Sequence, residues 1–365
     1  MRTSFEILPS ILRRTAAGLL LSALAACATD PGTLINRNTR NPFTASARIP
    51  VHFATNRVPV SLRPSCTDAY YGVRNGRELA YGVCEIGVPK THAVGDLEPV
   101  RHIGGSADRY YQSGEHQEFQ PPGWIKRVKA GPSNEILLFV HGFNVKFEEA
   151  LLRAAQLAYD VKFQGTVVLF TWPAGSADSG LSSVFINQTY RANQINAKDT
   201  IKLFADFVNN LKGADKTVHI LVHSMGHQIV LPALASLAAD GAPSNLIGEV
   251  ILNAPDFPGA ELQRLAPRLT QISRRVTLYC SPGDNALVAS SQINGNFRAG
   301  ACVKIPGIDV INVNELDTST LGHGYYSGRP VLTDVYQILL GVDVERRLFI
   351  RRSTPGGGEN YILRK

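Results

Sequence analysis

From Glu135 onward the chain alternates short, almost continuously apolar runs with longer segments whose apolar positions recur every three or four residues. Runs such as Glu135-Ile136-Leu137-Leu138-Phe139-Val140 and Val218-His219-Ile220-Leu221-Val222 suit strands covered on both faces. Further strands are expected over 167–170, 250–253, 276–279 and 310–313. Helices are expected over 147–161, 197–211, from just after Ser224 to about Ala239, around 261–272, from Asn285, and over 331–340. In the first of these, Ala150, Leu151, Ala154, Leu157 and Ala158 share one face. Strand, helix, strand repeated over this length predicts an α/β class protein with a mainly parallel, doubly wound sheet and helices on both faces. Functional groups then belong at the C-terminal ends of the strands.

The flanks read differently. A strand begins at Val51 and Phe53, and a second, partly exposed one follows, in which Leu79, Tyr81 and Val83 alternate with Ala80, Gly82 and Cys84. Residues 90–124, rich in His, Gly, Pro and charge, read as a loop-rich excursion. Residues 347–352 and 361–363 flank Pro355-Gly356-Gly357-Gly358, as two short strands around a turn or as a frayed tail. Residues 28–47, without an apolar period, suit a flexible tether.

Composition narrows the picture. With 365 residues, 44% hydrophobic and 18% charged, the chain is too apolar for disorder and long enough for one large domain, with or without a small appendage. Arg2, Arg13 and Arg14 precede an apolar stretch, 16–26, that is too short to span a bilayer and marks a targeting segment. It ends in Leu24-Ala25-Ala26-Cys27, which resembles the lipobox of bacterial lipoproteins. That resemblance implies cleavage before a lipid-modified Cys27 and anchoring in the cell envelope, at the outer membrane facing the periplasm, since Ala28 rather than Asp follows. An ordinary signal peptide cleaved near Ala26 is the plainer alternative. The expected organisation is a signal peptide over 1–26, a lipidated cysteine and tether over 27–47, a catalytic-type domain over 48–343 and a tail over 344–365.

Cleavage would leave 34 basic and 29 acidic side chains, a net charge of +5. With no Lys/Arg block interleaved with aromatics, this does not point to nucleic acid. Four cysteines remain in an oxidising compartment, and the local pairs Cys66–Cys84 and Cys280–Cys302 are favoured, although Cys84 or Cys280 also suits a buried thiol. No C-x-x-C or histidine cluster suggests a metal, and no cofactor motif stands out.

The candidate chemistry centres on His223-Ser224-Met225-Gly226, where a strand meets a helix. A serine on that turn suits a nucleophile elbow, which lifts Oγ above the sheet beside a helix N-terminus. It equally suits a helix N-cap, and the usual first glycine of G-x-S-x-G is here Val222. A nucleophilic serine needs a base and an acid, and in open parallel-sheet hydrolases they follow it in the order acid, then histidine. After the elbow helix comes a single histidine, His323, between Gly322 and Gly324. Asp284, after the second strand beyond the elbow, is preferred as acid over Asp256, after the first; each also suits a helix cap, and Asp309 and Asp317 are weaker candidates. An oxyanion hole would use the Met225 N–H and one from His141-Gly142-Phe143-Asn144, Phe143 before Asn144.

Taken together, Phe53-Ala54-Thr55-Asn56-Arg57, Tyr81-Gly82-Val83, His141-Gly142-Phe143-Asn144, Phe170-Thr171-Trp172-Pro173, His223-Ser224-Met225-Gly226, Ala254-Pro255-Asp256 and Gly322-His323 resemble a known family. It is the bacterial α/β-hydrolase family of uncharacterised esterase/lipase-like proteins, domain of unknown function 900. The resemblance spans about 50–342. It implies the α/β-hydrolase fold and a Ser-Asp-His triad, which falls on Ser224, Asp284 and His323. The expected activity is hydrolysis of carboxylic esters through an acyl-enzyme, with an ester or acyl substrate and no cofactor. An envelope binding or scaffolding lipoprotein without turnover, or an acyltransferase or amidase with the same triad, would share the fold. Residues 173–194 suit a small lid, an acyl-pocket wall or a plain surface loop, and no large cap domain is expected.

Overall fold

A computed structural model describes residues 47–98, 108–176, 186–314, 323–354 and 356–364. The signal segment, Cys27, the tether up to Ser46, residues 177–185 of the candidate lid and Asp317 lie outside these residues. Among the described residues eleven strands form one sheet, with β1 (Ala47–Pro59), β2 (Tyr71–Val88), β3 (Gln112–Phe119), β4 (Glu135–Val140), β5 (Thr166–Thr171) and β6 (Thr217–His223) on one side. Across from them lie β7 (Ile247–Asn253), β8 (Ser273–Cys280), β9 (Asp309–Asn312), β10 (Ile350–Arg352) and β11 (Tyr361–Leu363). The spatial order is β10-β11-β9-β8-β7-β6-β4-β5-β1-β2-β3. From β1 through β11 neighbours run parallel, while β2, β3 and β10 add antiparallel edges.

The period-two alternation of the strands divides their side chains between two cores. Ile136, Leu138 and Val140 of β4 face one core, against α1 (Pro121–Lys129), α3 (Ile186–Leu211), α4 (His227–Ala239) and α5 (Gly259–Ile272). Leu137 and Phe139 face the other, against α2 (Phe147–Asp160) and α7 (Arg329–Leu339). Among the described residues no helix is long and apolar enough to cross a membrane.

Two segments differ from the sequence expectation, and at a third, the C-terminal one, the structure takes the strand-pair alternative. Part of the supposed loop-rich region 90–124 is ordered as β3 and the start of α1. The strand is an antiparallel edge whose sequence, Gln-Ser-Gly-Glu-His-Gln-Glu-Phe, carries almost no apolar signal. The helix is anchored by two buried residues, Trp124 and Val128, with Trp124 Nε1 donating to the Gly82 carbonyl at 3.0 Å. The third helix starts at Ile186 rather than Ala197, because Ile186, Tyr190 and Asn193 bury one side of an otherwise polar segment. The C-terminal residues form the β10–β11 hairpin, and β11 joins the main sheet beside β9, so they are part of its edge rather than a separate tail.

Both expected disulfides are present. Cys66–Cys84 closes the β1–β2 connection onto β2, and Cys280–Cys302 ties the end of β8 to the turn at Ala299–Ala301. Each closes a loop with a sequence separation near twenty (18 and 22 residues), which limits the unfolded chain by about 3 kcal/mol in the loop-entropy picture. The double variants Cys66→Ser/Cys84→Ser and Cys280→Ser/Cys302→Ser are each expected to lose about 2–4 kcal/mol in urea unfolding. An unchanged unfolding midpoint would show that the bridge adds nothing to folding.

Candidate active site

Three parallel strands, β6, β4 and β5, end side by side, and β1 ends next to β5. The site is built at these ends. Ser224 follows β6 directly, with φ of 51°, and opens a tight 3-10 turn, Ser224–Gly226, that leads into α4. A non-glycine residue in this left-handed region stores about 1–3 kcal/mol, so the surroundings must hold it there. The Ser224 carbonyl accepts hydrogen bonds from His227 Nδ1 at 2.6 Å and from the Asp256 N–H at 3.4 Å.

Two glycines make the turn fit. A Cβ at Gly226 would stand 2.6 Å from the His141 carbonyl oxygen and 3.1 Å from Val222 Cγ2; a Cβ at Gly142 would stand 2.7 Å from Ser224 Cβ. Gly226 therefore makes the room that a branched residue at position 222 takes up. Gly142 lets the loop after β4 lie directly against the serine.

His323 meets Ser224 with Nε2 at 3.1 Å from Oγ, and its Nδ1 lies 2.6 Å from Asp284 Oδ2. Asp284 is fully buried after β8, and its other oxygen, Oδ1, caps α6 (Asn285–Asn294) by accepting the Leu287 N–H at 3.1 Å. One carboxylate oxygen thus caps the helix while the other meets the His323 ring. Asp256 is buried too, but it faces Arg298 Nε at 3.1 Å and accepts from Tyr190 Oη at 2.7 Å and from Ser290 Oγ. The fallback acid thus belongs to a buried ion pair. Asp309 faces Arg347 at 3.9 Å, away from the serine.

The loop after β4 is held by residues that the sequence offered only as motif fragments. Trp172 stacks on His141, with ring centroids 5.5 Å apart, and its Nε1 donates to the His141 carbonyl at 2.9 Å. His141 Nε2 accepts from the Trp172 N–H at 3.3 Å and lies 3.0 Å from Thr171 Oγ1. The Arg57 guanidinium donates Nε to Thr171 Oγ1 at 3.0 Å, Nη1 to the Ala174 and Gly72 carbonyls, and Nη2 to the Val145 carbonyl at 2.7 Å. Asn193 accepts the Asn144 N–H at 3.2 Å, and the backbone there is left-handed, with φ of 57°. With that amide occupied, the Phe143 N–H has no acceptor among the described residues. The Phe143 ring rests against Tyr190, which belongs to the first turns of α3 rather than to a lid or a surface loop.

The buried histidines of the fold divide into two groups by charge. Burial pushes His227 down to about 3 and His52, in β1, down to about 4. Burial, with neighbouring cationic groups adding to it, holds His141 and His223 well below the usual imidazole range. His92 is the opposite case: burial opposes its charge, but Asp160 at 2.8 Å and Glu98 at 2.7 Å outweigh it and raise the ring to about 9. That clip holds Gly95 so close that a Cβ there would stand 2.4 Å from the Ser327 carbonyl, just beyond His323. Among the described residues, the one cluster with metal-ligand geometry is Cys66, Cys84 and His116, whose two cysteines are tied in a disulfide.

A serine on a strand-turn-helix elbow, hydrogen-bonded to a histidine and an aspartate delivered by later strands of a parallel sheet, defines the molecule as an α/β-hydrolase. The chain belongs to the family described as alpha/beta hydrolase of unknown function (DUF900), whose model matches residues 117–342. A comparison with curated proteins finds no match. Similar solved structures include a cold-adapted esterase from an Arctic intertidal metagenomic library, at 15% identity and a TM-score of 0.35, covering 71% of this chain and 88% of that one. A Pyrobaculum calidifontis esterase shares 12% identity with a TM-score of 0.35, covering 91% and 94%.

The buried neutral histidines set a pH dependence. Unfolded, His52, His141, His223 and His227 take up protons near pH 6.5, whereas in the folded protein they resist protonation until far lower pH. Stability is therefore unaffected by them above about 6.5 and falls as the pH drops towards 4. The raised His92 contributes fully below 6.5 and loses its contribution as the pH rises through about 9. The unfolding free energy in urea is expected to fall between pH 6.5 and pH 5, by roughly 1 kcal/mol per pH unit for each of the four rings; a flat profile over that range would contradict their burial as neutral groups.

Proposed function

We propose that the chain is a serine hydrolase that cleaves carboxylic esters through an acyl-enzyme. The observation that carries this reading is the unbroken line of hydrogen bonds from Asp284 through His323 to Ser224. It ends beside a loop whose Phe143 N–H is unspent.

Ser224 Oγ attacks the ester carbonyl while His323 Nε2 takes its proton, and Asp284 keeps Nδ1–H oriented and stabilises the imidazolium. The new oxyanion accepts hydrogen bonds from the Met225 and Phe143 N–H groups. Collapse expels the alkoxide, which leaves as the alcohol with the proton from His323. Water then attacks the acyl-enzyme, gives its proton to His323, and collapse releases the acid and restores Ser224. The scheme needs no metal or organic cofactor.

We further propose that Cys27 carries the lipid of an envelope lipoprotein, with the following residues as a tether. The lipobox-like Leu24-Ala25-Ala26-Cys27 supports this reading.

The test compares Ser224→Ala, Asp284→Asn and Asp256→Asn with wild type, using a short p-nitrophenyl ester and a fluorophosphonate probe. Ser224→Ala is expected to abolish labelling and, like Asp284→Asn, to lower kcat about 10⁴-fold or more. Asp256→Asn is expected to keep activity per folded molecule while costing about 3–5 kcal/mol of stability, because it strands the buried Arg298 charge. Equal labelling of Ser224→Ala and wild type would sink the assignment.

A further inference from the structure

Behind the catalytic wall lies a cavity of about 600 Å³ that the proposed chemistry does not use. It runs between the outer face of α3, the start of α4 and the segment after α6. Its charged lining residues are Arg191, Lys198 and Arg298, and no acidic side chain lines it. Four amides, those of Gln194, Gln228, Asn294 and Asn296, hydrogen-bonded to one another and to neighbouring groups, complete its polar lining. Ile195, Ile201, Phe257 and Pro258 supply the apolar part.

Two of the three cations stand without an ion-pair partner among the described residues. Arg191 and Lys198 are exposed, and neither has a carboxylate within salt-bridge distance among the described residues. Arg298 is 2% exposed; its Nε is spent on Asp256 and Ser290, but its buried Nη2 has no hydrogen-bond partner among the described residues. An unpaired guanidinium donor at such depth costs about 1–3 kcal/mol, a cost that a bound acceptor removes. Planar guanidinium forks and a nearby ammonium match the tetrahedral oxygens of a phosphate.

We propose that this cavity binds an organic phosphate, its oxygens between Arg191, Lys198 and Arg298 and its apolar part against Ile195, Ile201 and Phe257. The same wall touches the active site from behind. Asp256, the partner of Arg298, donates its backbone N–H to the Ser224 carbonyl, and Tyr190, which binds Asp256, packs on Phe143. A phosphate bound here sits one residue layer from the reacting serine, as a subsite of the enzyme or as an effector site.

The site does not rest on the hydrolase reading, so binding is measured on wild type and on Ser224→Ala, which keeps the cavity intact. Titration calorimetry with phenyl phosphate and with a short-chain, soluble phosphatidic acid is set against benzyl alcohol as the uncharged control. Both phosphates are expected to bind saturably to wild type and Ser224→Ala alike, weakening as salt rises. The control is expected not to bind. Tighter binding of the phosphatidic acid identifies a lipid headgroup as the natural source; equal or weaker binding identifies a soluble phosphate ester. Arg191→Ala/Lys198→Ala, which removes two exposed side chains without touching the buried ion pair, is expected to weaken binding on the order of tenfold or more. Unchanged affinity in that variant, or no binding of either phosphate above the control, overturns the proposal.

Discussion

The site depends on one backbone contact, the approach of the His141-Gly142 peptide to the strained Ser224 turn. Ser224 can stay at a φ of 51° because the loop after β4 lies against it and α4 begins immediately behind it. Both neighbours can come that close because positions 142 and 226 have no Cβ. Val222 shows how the constraint is shared. A branched side chain stands where this kind of turn usually has glycine, and Gly226 supplies the missing space from the other side. The strain of the turn is thus offset by packing around it, not by the serine's own conformational freedom.

Such a contact needs a loop that does not move, and that loop is secured from three strands. Arg57 at the end of β1, Thr171 at the end of β5 and His141 just beyond β4 form a continuous polar chain, with Trp172 and Asn193 closing it. All five are buried, so each lost partner would leave a donor or acceptor out of water's reach. Burial also explains why His141 serves better as a neutral ring: it accepts from the Trp172 amide only while Nε2 carries no proton. The opposite arrangement holds the histidine segment. The charged His92 clip pins Gly95 against Ser327, four residues past His323. Neutral rings secure the loop beside Ser224, and a charged one secures the segment after His323.

Much of this was legible in the residues, and the exceptions have physical reasons. The buried parallel strands announce themselves through apolar runs, because both faces of each must be covered. The edge strand β3 does not, since its solvated face and its place at the end of the sheet leave only a mixed polar sequence. Ser224, His323 and the preference for Asp284 over Asp256 followed from local context and chain order. Arg57 and Asn193 escaped, although Arg57 lay inside a recognised motif. Their role depends on β1 inserting next to β5 and on α3 starting eleven residues early, and neither fact is written in short-range pattern. The ion pair of Asp256, kept as the alternative acid, was hidden for a similar reason. Its partner, Arg298, is 42 residues away in sequence, in a loop that the Cys280–Cys302 bridge brings back over β7 and β8.

In the proposed mechanism, the peptide contact that holds Ser224 at its positive φ also sets the Phe143 and Met225 amides beside the oxygen of a tetrahedral intermediate. The most direct measurement is a crystal structure of the protein after reaction with a fluorophosphonate, whose phosphoryl oxygen stands in for that oxyanion. The account predicts phosphorus bonded to Ser224 Oγ and the phosphoryl oxygen about 3 Å from the amide nitrogens of both Phe143 and Met225. An adduct on another residue, or a phosphoryl oxygen turned away from both amides, would contradict it.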